Sequence, residues 1–130
     1  MIPTSILVID DDDDFNTLVK FILERDTDWK ILTALNGKEG VAKAQLQQPS
    51  VILLDLVMPN LNGLDVYHLL QSNLTTCSIP IIFVTAMTSM RKIIKSQITE
   101  DIEIITKPFD MMTLEKQVID VCDRYLVAST

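Results

Sequence analysis

The chain has 130 residues, 48% hydrophobic and 22% charged, with three glycines and five prolines, which suits one folded domain and excludes collagen-like, coiled-coil and disordered chains. Eighteen acidic against eleven basic residues give a net charge of -7, which repels a phosphate backbone and argues against direct nucleic-acid binding. Cys77 and Cys122 are too few for a disulfide framework, and no apolar run approaches a membrane span or a signal segment, so a cytoplasmic protein with no membrane partner is expected.

In chain order, residues 6–9 form a continuous apolar run, the pattern of a strand buried on both faces of a parallel sheet. It leads directly into five aspartates, Asp10 to Asp14. Phe15, Leu18, Val19, Ile22 and Leu23 then fall at 3 and 4 spacing, a core-facing helical stripe, with Asp12, Asp13 and Asp14 at the helix start where the dipole favours acids. A weaker strand is expected over 29–34, with Trp29 covering the sheet near its edge. Asn36 and Glu39 have the spacing of a capping box for a helix over 37–47, and Pro49 stops it before the next strand. Residues 51–54 form that strand and end at Asp55.

A helix over 63–72 follows, then a strand over 81–84 ending at Thr85, and a helix over 89–98. The fifth strand, 102–105, is interrupted by Glu103 and followed by Lys107-Pro108. Leu114, Val118, Val121, Cys122 and Tyr125 mark the last helix. Strand then helix, five times over, predicts an α/β fold: a five-stranded parallel sheet with five helices on both faces, joined by right-handed crossovers.

Ligands of such sheets sit beyond the carboxyl ends of the strands, where Asp10, Asp11, Asp55, Thr85 and Lys107 are expected to converge. Two carboxylates about 4 Å apart repel by roughly 4 kcal/mol at an effective dielectric near 20, so Asp10 and Asp11 call for a cation. Oxygen ligands without histidine suit a hard ion, magnesium before calcium where phosphate is involved. Asp55 taken singly could cap a loop. With Asp10 and Asp11 beside it, it can share the metal and, as a carboxylate nucleophile, form an acyl phosphate. Thr85 and Lys107 would supply a hydroxyl and a point charge to the phosphoryl oxygens.

Four anchors, Ile6-Leu7-Val8-Ile9-Asp10-Asp11, Asp55-Leu56-Val57-Met58-Pro59 with Gly63, Val84-Thr85-Ala86 and Lys107-Pro108-Phe109, resemble the receiver domain of bacterial two-component response regulators over nearly the whole chain. The resemblance implies a flavodoxin-like fold of strand order 2-1-3-4-5 and a cis Lys107–Pro108 bond; from its length the sequence is expected to be one receiver domain over 1–130 with no output domain, either stand-alone or cut from a longer chain. The resemblance also implies Asp55 as phosphoacceptor, Asp11 as direct metal ligand, Asp10 as a ligand through water, and Val57 as donor of a backbone carbonyl to Mg2+. Thr85 and Lys107 match the switch hydroxyl and the phosphate-pairing lysine. The implied partners are a sensor histidine kinase or phosphotransfer protein and a downstream protein target, with the chain a monomer or a phosphorylation-linked dimer that catalyses only its own phosphorylation and dephosphorylation.

The chain departs from the family at the second switch position, where an aromatic residue is replaced by Ile104. Val57 and Met87, at the positions that tune phosphoryl lifetime, are both apolar, so slow dephosphorylation is expected. Ala86 leaves a path to Asp55. His68 reads as a helix-surface or packing residue, Met87, Met90, Met111 and Met112 as packing, and Arg91, Lys92 and Lys95 as a solvated basic face. Two other classes stand beside the receiver. A magnesium-dependent phosphohydrolase would share the aspartates and lysine but needs a second acid and a cap, for which the chain is short. A flavin module would need a phosphate cradle where five aspartates stand.

Overall fold

The computed structural model describes residues 5–58, 62–86 and 103–129, with side chains to Arg124, together with Lys92, Ile94 and Ser96. Five strands form one sheet: β1 (Ser5–Ile9), β2 (Lys30–Ala34), β3 (Val51–Asp55), β4 (Ile81–Thr85) and β5 (Glu103–Thr106). They are all parallel in the order β2-β1-β3-β4-β5. Between them run α1 (Asp13–Asp26), α2 (Gly37–Gln47) and α3 (Gly63–Gln71), and the helix that follows β5 is α4 (Met111–Ser129). The expected helix over 89–98 lies mostly outside the described residues; Lys92, Ile94 and Ser96 within it have helical backbone.

The continuous apolar runs have a direct reason. Alternate residues of each strand point to opposite faces, and both faces are covered. Leu7, Ile9, Ile52, Leu54, Ile81 and Phe83 meet Ala44 of α2, Val66, Tyr67 and Leu70 of α3, and Ile94. Ile6, Val8, Val51, Leu53, Ile82, Val84 and Ile105 meet Val19 and Leu23 of α1 and Leu114, Val118 and Val121 of α4. Trp29 is buried in this second layer beside Ile31 of the edge strand β2, as expected.

Helix ends follow the local code. Asp12 caps α1 by accepting from Phe15 N, with Asp13 and Asp14 in the first turn. Asn36 Oδ1 accepts from Glu39 N at 2.8 Å, and Glu39 reaches back to Leu35 N at 2.6 Å, one residue before the cap itself. Gln48 closes α2 in a left-handed conformation (φ 48°) ahead of Pro49. One expectation fails: Leu18 is 52% exposed. The buried stripe of α1 is instead Asn16, Val19 and Leu23, because the helix rests on the sheet along a narrower seam than its apolar residues suggest.

The outer edge of β2 is covered by charged side chains. Ile31 N–H donates to Glu24 and Ile31 C=O accepts from Lys20, both on α1; Thr33 C=O accepts from Lys43 on α2. Edge strands left bare invite pairing with other chains, and here α1 and α2 occupy those groups.

Candidate functional site at the carboxyl ends of the strands

The strand order sets β1, β3 and β4 side by side, so Asp10, Asp55 and Thr85 emerge at one end of three neighbouring strands. All three are buried, with 2%, 7% and 0% of their surfaces exposed. Asp11 projects into solvent next to them, and carboxylate oxygens of Asp10, Asp11 and Asp55 lie within 4.8 Å of one another. Lys107 follows β5; its Nζ donates to Asp10 Oδ2 at 2.7 Å, and its backbone N–H donates to Thr85 O at 2.8 Å. The Lys107–Pro108 bond is cis.

The electrostatics report the crowding. Burial pushes the Asp55 carboxyl up to about 6, and Asp10, then more weakly Asp11, adds like-charge repulsion, while Lys107 and the Val57 N–H oppose the rise. Val57 N–H lies 3.4 Å from Asp55 Oδ1, and the Val57 side chain is half exposed. Three converging carboxylates, one of them raised first by burial and then by its neighbours, form a donor set that suits a hard divalent cation; these residues could hold a metal.

The loop after β3 is held from behind by α3. Gly63 N–H donates to Leu56 O at 3.1 Å. A Cβ on Gly63 would stand 2.6 Å from Leu56 Cα and closer still to the Asp55 carbonyl oxygen, so a residue without a side chain lets the helix start against the backbone that carries Asp55.

Thr85 ends β4 in register with Thr106 of β5. Ile104 is half-buried against the Phe83 side of the core and borders a groove of about 560 Å³ with Pro108, Phe109, Asp110, Thr113 and Gln117. Ala86 is exposed and lines a second, mainly apolar groove of about 430 Å³ with Phe15, Leu18, Lys107, Phe109 and Met111. His68 is exposed, its ring edge-on to Tyr67. Met111 is half-buried, while Met112 and Lys92 are exposed. Met87, Met90, Arg91 and Lys95 lie outside the described residues. Cys77 and Cys122 are free thiols, and no helix among the described residues is long and apolar enough to cross a membrane.

Sequence reasoning passed over two parts of this site. The Lys107 ammonium lies 4.1 Å from the centroid of the Phe15 ring, which meets Phe109 edge to face at 6.0 Å. Asn16, 1% exposed, donates from Nδ2 to Asp10 O and Ala34 O. Its signal was a polar residue three and seven positions before Val19 and Leu23, inside the buried stripe.

Comparison with known proteins agrees with this geometry. The family model described as "Response regulator receiver domain" matches residues 6–119. PilH of Pseudomonas aeruginosa is 34% identical over 121 residues, covering 87% of this chain and 93% of PilH. The alkaline phosphatase synthesis transcriptional regulatory protein PhoP of Bacillus subtilis is 30% identical over 125 residues, 95% of this chain and 50% of PhoP. The chain spans about half the length of several curated relatives of this kind. Among solved structures, the chemotaxis protein CheY4 of Vibrio cholerae superposes with a TM-score of 0.81 at 27% identity, covering 91% of this chain and 98% of that one.

Proposed function

We propose that this chain, which belongs to the response regulator receiver domain family of two-component systems, takes a phosphoryl group onto Asp55 from the phosphohistidine of a sensor kinase or phosphotransfer protein. The carrying observation is the meeting of Asp10, Asp11 and Asp55 within 4.8 Å beside Lys107. At neutral pH a carboxyl with a pKa of about 6 is mostly ionised, so Asp55 has a free electron pair for phosphorus. As the Asp55 oxygen–phosphorus bond forms, the phosphorus–nitrogen bond breaks and its electron pair leaves with the imidazole. Lys107 and the Thr85 hydroxyl then meet the phosphoryl oxygens.

Asp10, Asp11, Asp55 and the Val57 carbonyl would hold Mg2+, which when bound neutralises charge on the phosphoryl oxygens. Buried walls on β1, β3 and β4 keep Asp55 in one orientation, which lowers the cost of positioning in the transfer. The protein is a signalling domain, its chemistry confined to its own phosphorylation and hydrolysis. Receiver domains interact with histidine kinases and downstream effectors; here the new charge biases contacts near β5 and α4. With Ile104 at the aromatic switch position, that signal runs through backbone and helix displacement instead of ring rotation, and apolar Val57 and Met87 leave the acyl phosphate long-lived.

The test is incubation with Mg2+ and acetyl phosphate followed by intact mass, with Asp55→Asn as control. The expected result is one base-labile phosphate, absent from the variant and persisting well beyond seconds. Mg2+ binding without modification would favour a receiver that signals unphosphorylated.

A further inference from the structure

The side chain of Asn16 joins three elements at the edge of the site. Its Nδ2 donates to Asp10 O at 2.9 Å and to Ala34 O at 3.3 Å, and Asp10 N–H donates to that same Ala34 O at 3.1 Å. The amide therefore locks the end of β1 to the end of β2 from a helix packed over both. Asp10 O belongs to the peptide group that links Asp10 to Asp11, the two acids at the mouth of the site. Gripping that carbonyl fixes the peptide plane, and with it the direction in which Asp11 leaves the sheet. The buried side of the same segment is tied by Asp12 N–H donating to Asp10 Oδ1 at 2.9 Å.

The other half of the amide argues that this grip has a use beyond packing. Among the described residues, the buried Asn16 Oδ1 finds no hydrogen-bond partner. Turning the amide over would set that oxygen against two carbonyl oxygens, so the orientation is forced by the donor requirement. A buried acceptor without a partner is unfavourable, a cost that this side chain carries while its Nδ2 serves Asp10 O and Ala34 O. Val19 and Leu23 continue the same stripe with apolar residues. A polar residue placed where the helix would otherwise be apolar, and left half satisfied, marks a position held for function at a cost in stability.

We infer that Asn16 is a positioning residue for cation binding: it sets the Asp10–Asp11 peptide so that both carboxylates face a common divalent ion with Asp55. The inference deepens the phosphoacceptor reading and rests on its metal site. It does not touch the ion or the phosphoryl group, so its effect falls on Mg2+ affinity more than on the rate once the ion is bound.

The experiment compares wild type, Asn16→Leu, the smaller Asn16→Ser and Val19→Ala, the last loosening α1 by one turn away without touching the carbonyls. Mg2+ affinity is measured by calorimetry, thermal unfolding in EDTA, and phosphorylation by acetyl phosphate across Mg2+ concentrations. Both Asn16 variants should bind Mg2+ about tenfold more weakly, a typical loss when a residue that orients metal ligands is removed. Asn16→Leu should unfold in EDTA no earlier than Val19→Ala, and its phosphorylation rate at saturating Mg2+ should return to within about twofold of wild type. Val19→Ala should keep wild-type Mg2+ affinity.

Wild-type affinity in both Asn16 variants, or an equal loss in Val19→Ala, overturns the inference and leaves the phosphoacceptor reading standing. If wild type binds Mg2+ but takes no phosphate, that reading fails while the affinity comparison still decides the role of Asn16. A wild type that binds no Mg2+ overturns both.

Discussion

The body of the sheet and its carboxyl end are built on opposite terms. Along the strands every described side chain of β3 and β4 before the last is buried and apolar, whereas the strand ends collect charge that burial opposes. Of the five buried polar residues among those described, four (Asp10, Asn16, Asp55 and Thr85) stand at this end. The fifth, Thr76, lies in the loop after α3 and is satisfied by donating to Leu70 O at 2.6 Å. The difference teaches where stability and function separate: the apolar layers hold the fold, and the strand ends keep like charges close against the cost of burial.

That comparison can be broken most severely in the body. Phe83→Ala empties a fully buried position between β4 and α3 and should cost about 3–5 kcal/mol in urea unfolding. The loss should be the same with and without Mg2+. Next in size is Lys107→Met. It strips the partner from Asp10, a carboxylate 2% exposed, and should cost about 2–3 kcal/mol in EDTA, short of a fully buried pair because the lysine keeps some solvent. Millimolar Mg2+ should recover much of that loss by binding the folded state.

Asp55→Asn should move stability the other way. The folded carboxyl has a pKa of about 6 against an ordinary value of 3.8, so the folded state holds the proton more tightly and Asp55 destabilises as pH rises through that window. Two pKa units correspond to ~3 kcal/mol, and solvent access to the cleft reduces this to about 1–2 kcal/mol. In EDTA at pH 7 the variant should be more stable by that amount, with the gain shrinking towards zero below pH 4. A variant equally advantaged at pH 4 and pH 7 would show that burial and crowding of the Asp55 charge are not the cause. At the small end, Leu74→Ser, at a side chain 93% exposed, should change stability by less than about 0.5 kcal/mol at any pH or metal concentration.

Legibility in the sequence followed the range of the physics involved. Strand positions were readable because both sheet faces are buried, which turns each strand into a short uninterrupted apolar word such as Val51 to Leu54. The caps at Asp12 and Asn36 were readable because a cap is satisfied within three residues. Leu18 misled because periodicity tells which face is apolar and not how wide a seam the sheet covers. Asn16 and the contact of Phe15 with Lys107 escaped notice because the partners involved, Asp10, Ala34 and Lys107, come from separate turns of the chain.

By itself, then, the chain's order of residues determined the alternation of strand and helix, the helix stops, and which side chains stand at strand ends, since each depends on spacing along a few residues. Only the tertiary structure decided that Lys107, 97 positions from Asp10, pairs with it, that burial and then the Asp10 charge raise the Asp55 carboxyl to about 6, and that Asn16 grips the peptide between two acids. Those outcomes depend on distance and burial in three dimensions, which parallel crossovers create by bringing distant strand ends to one rim of the sheet.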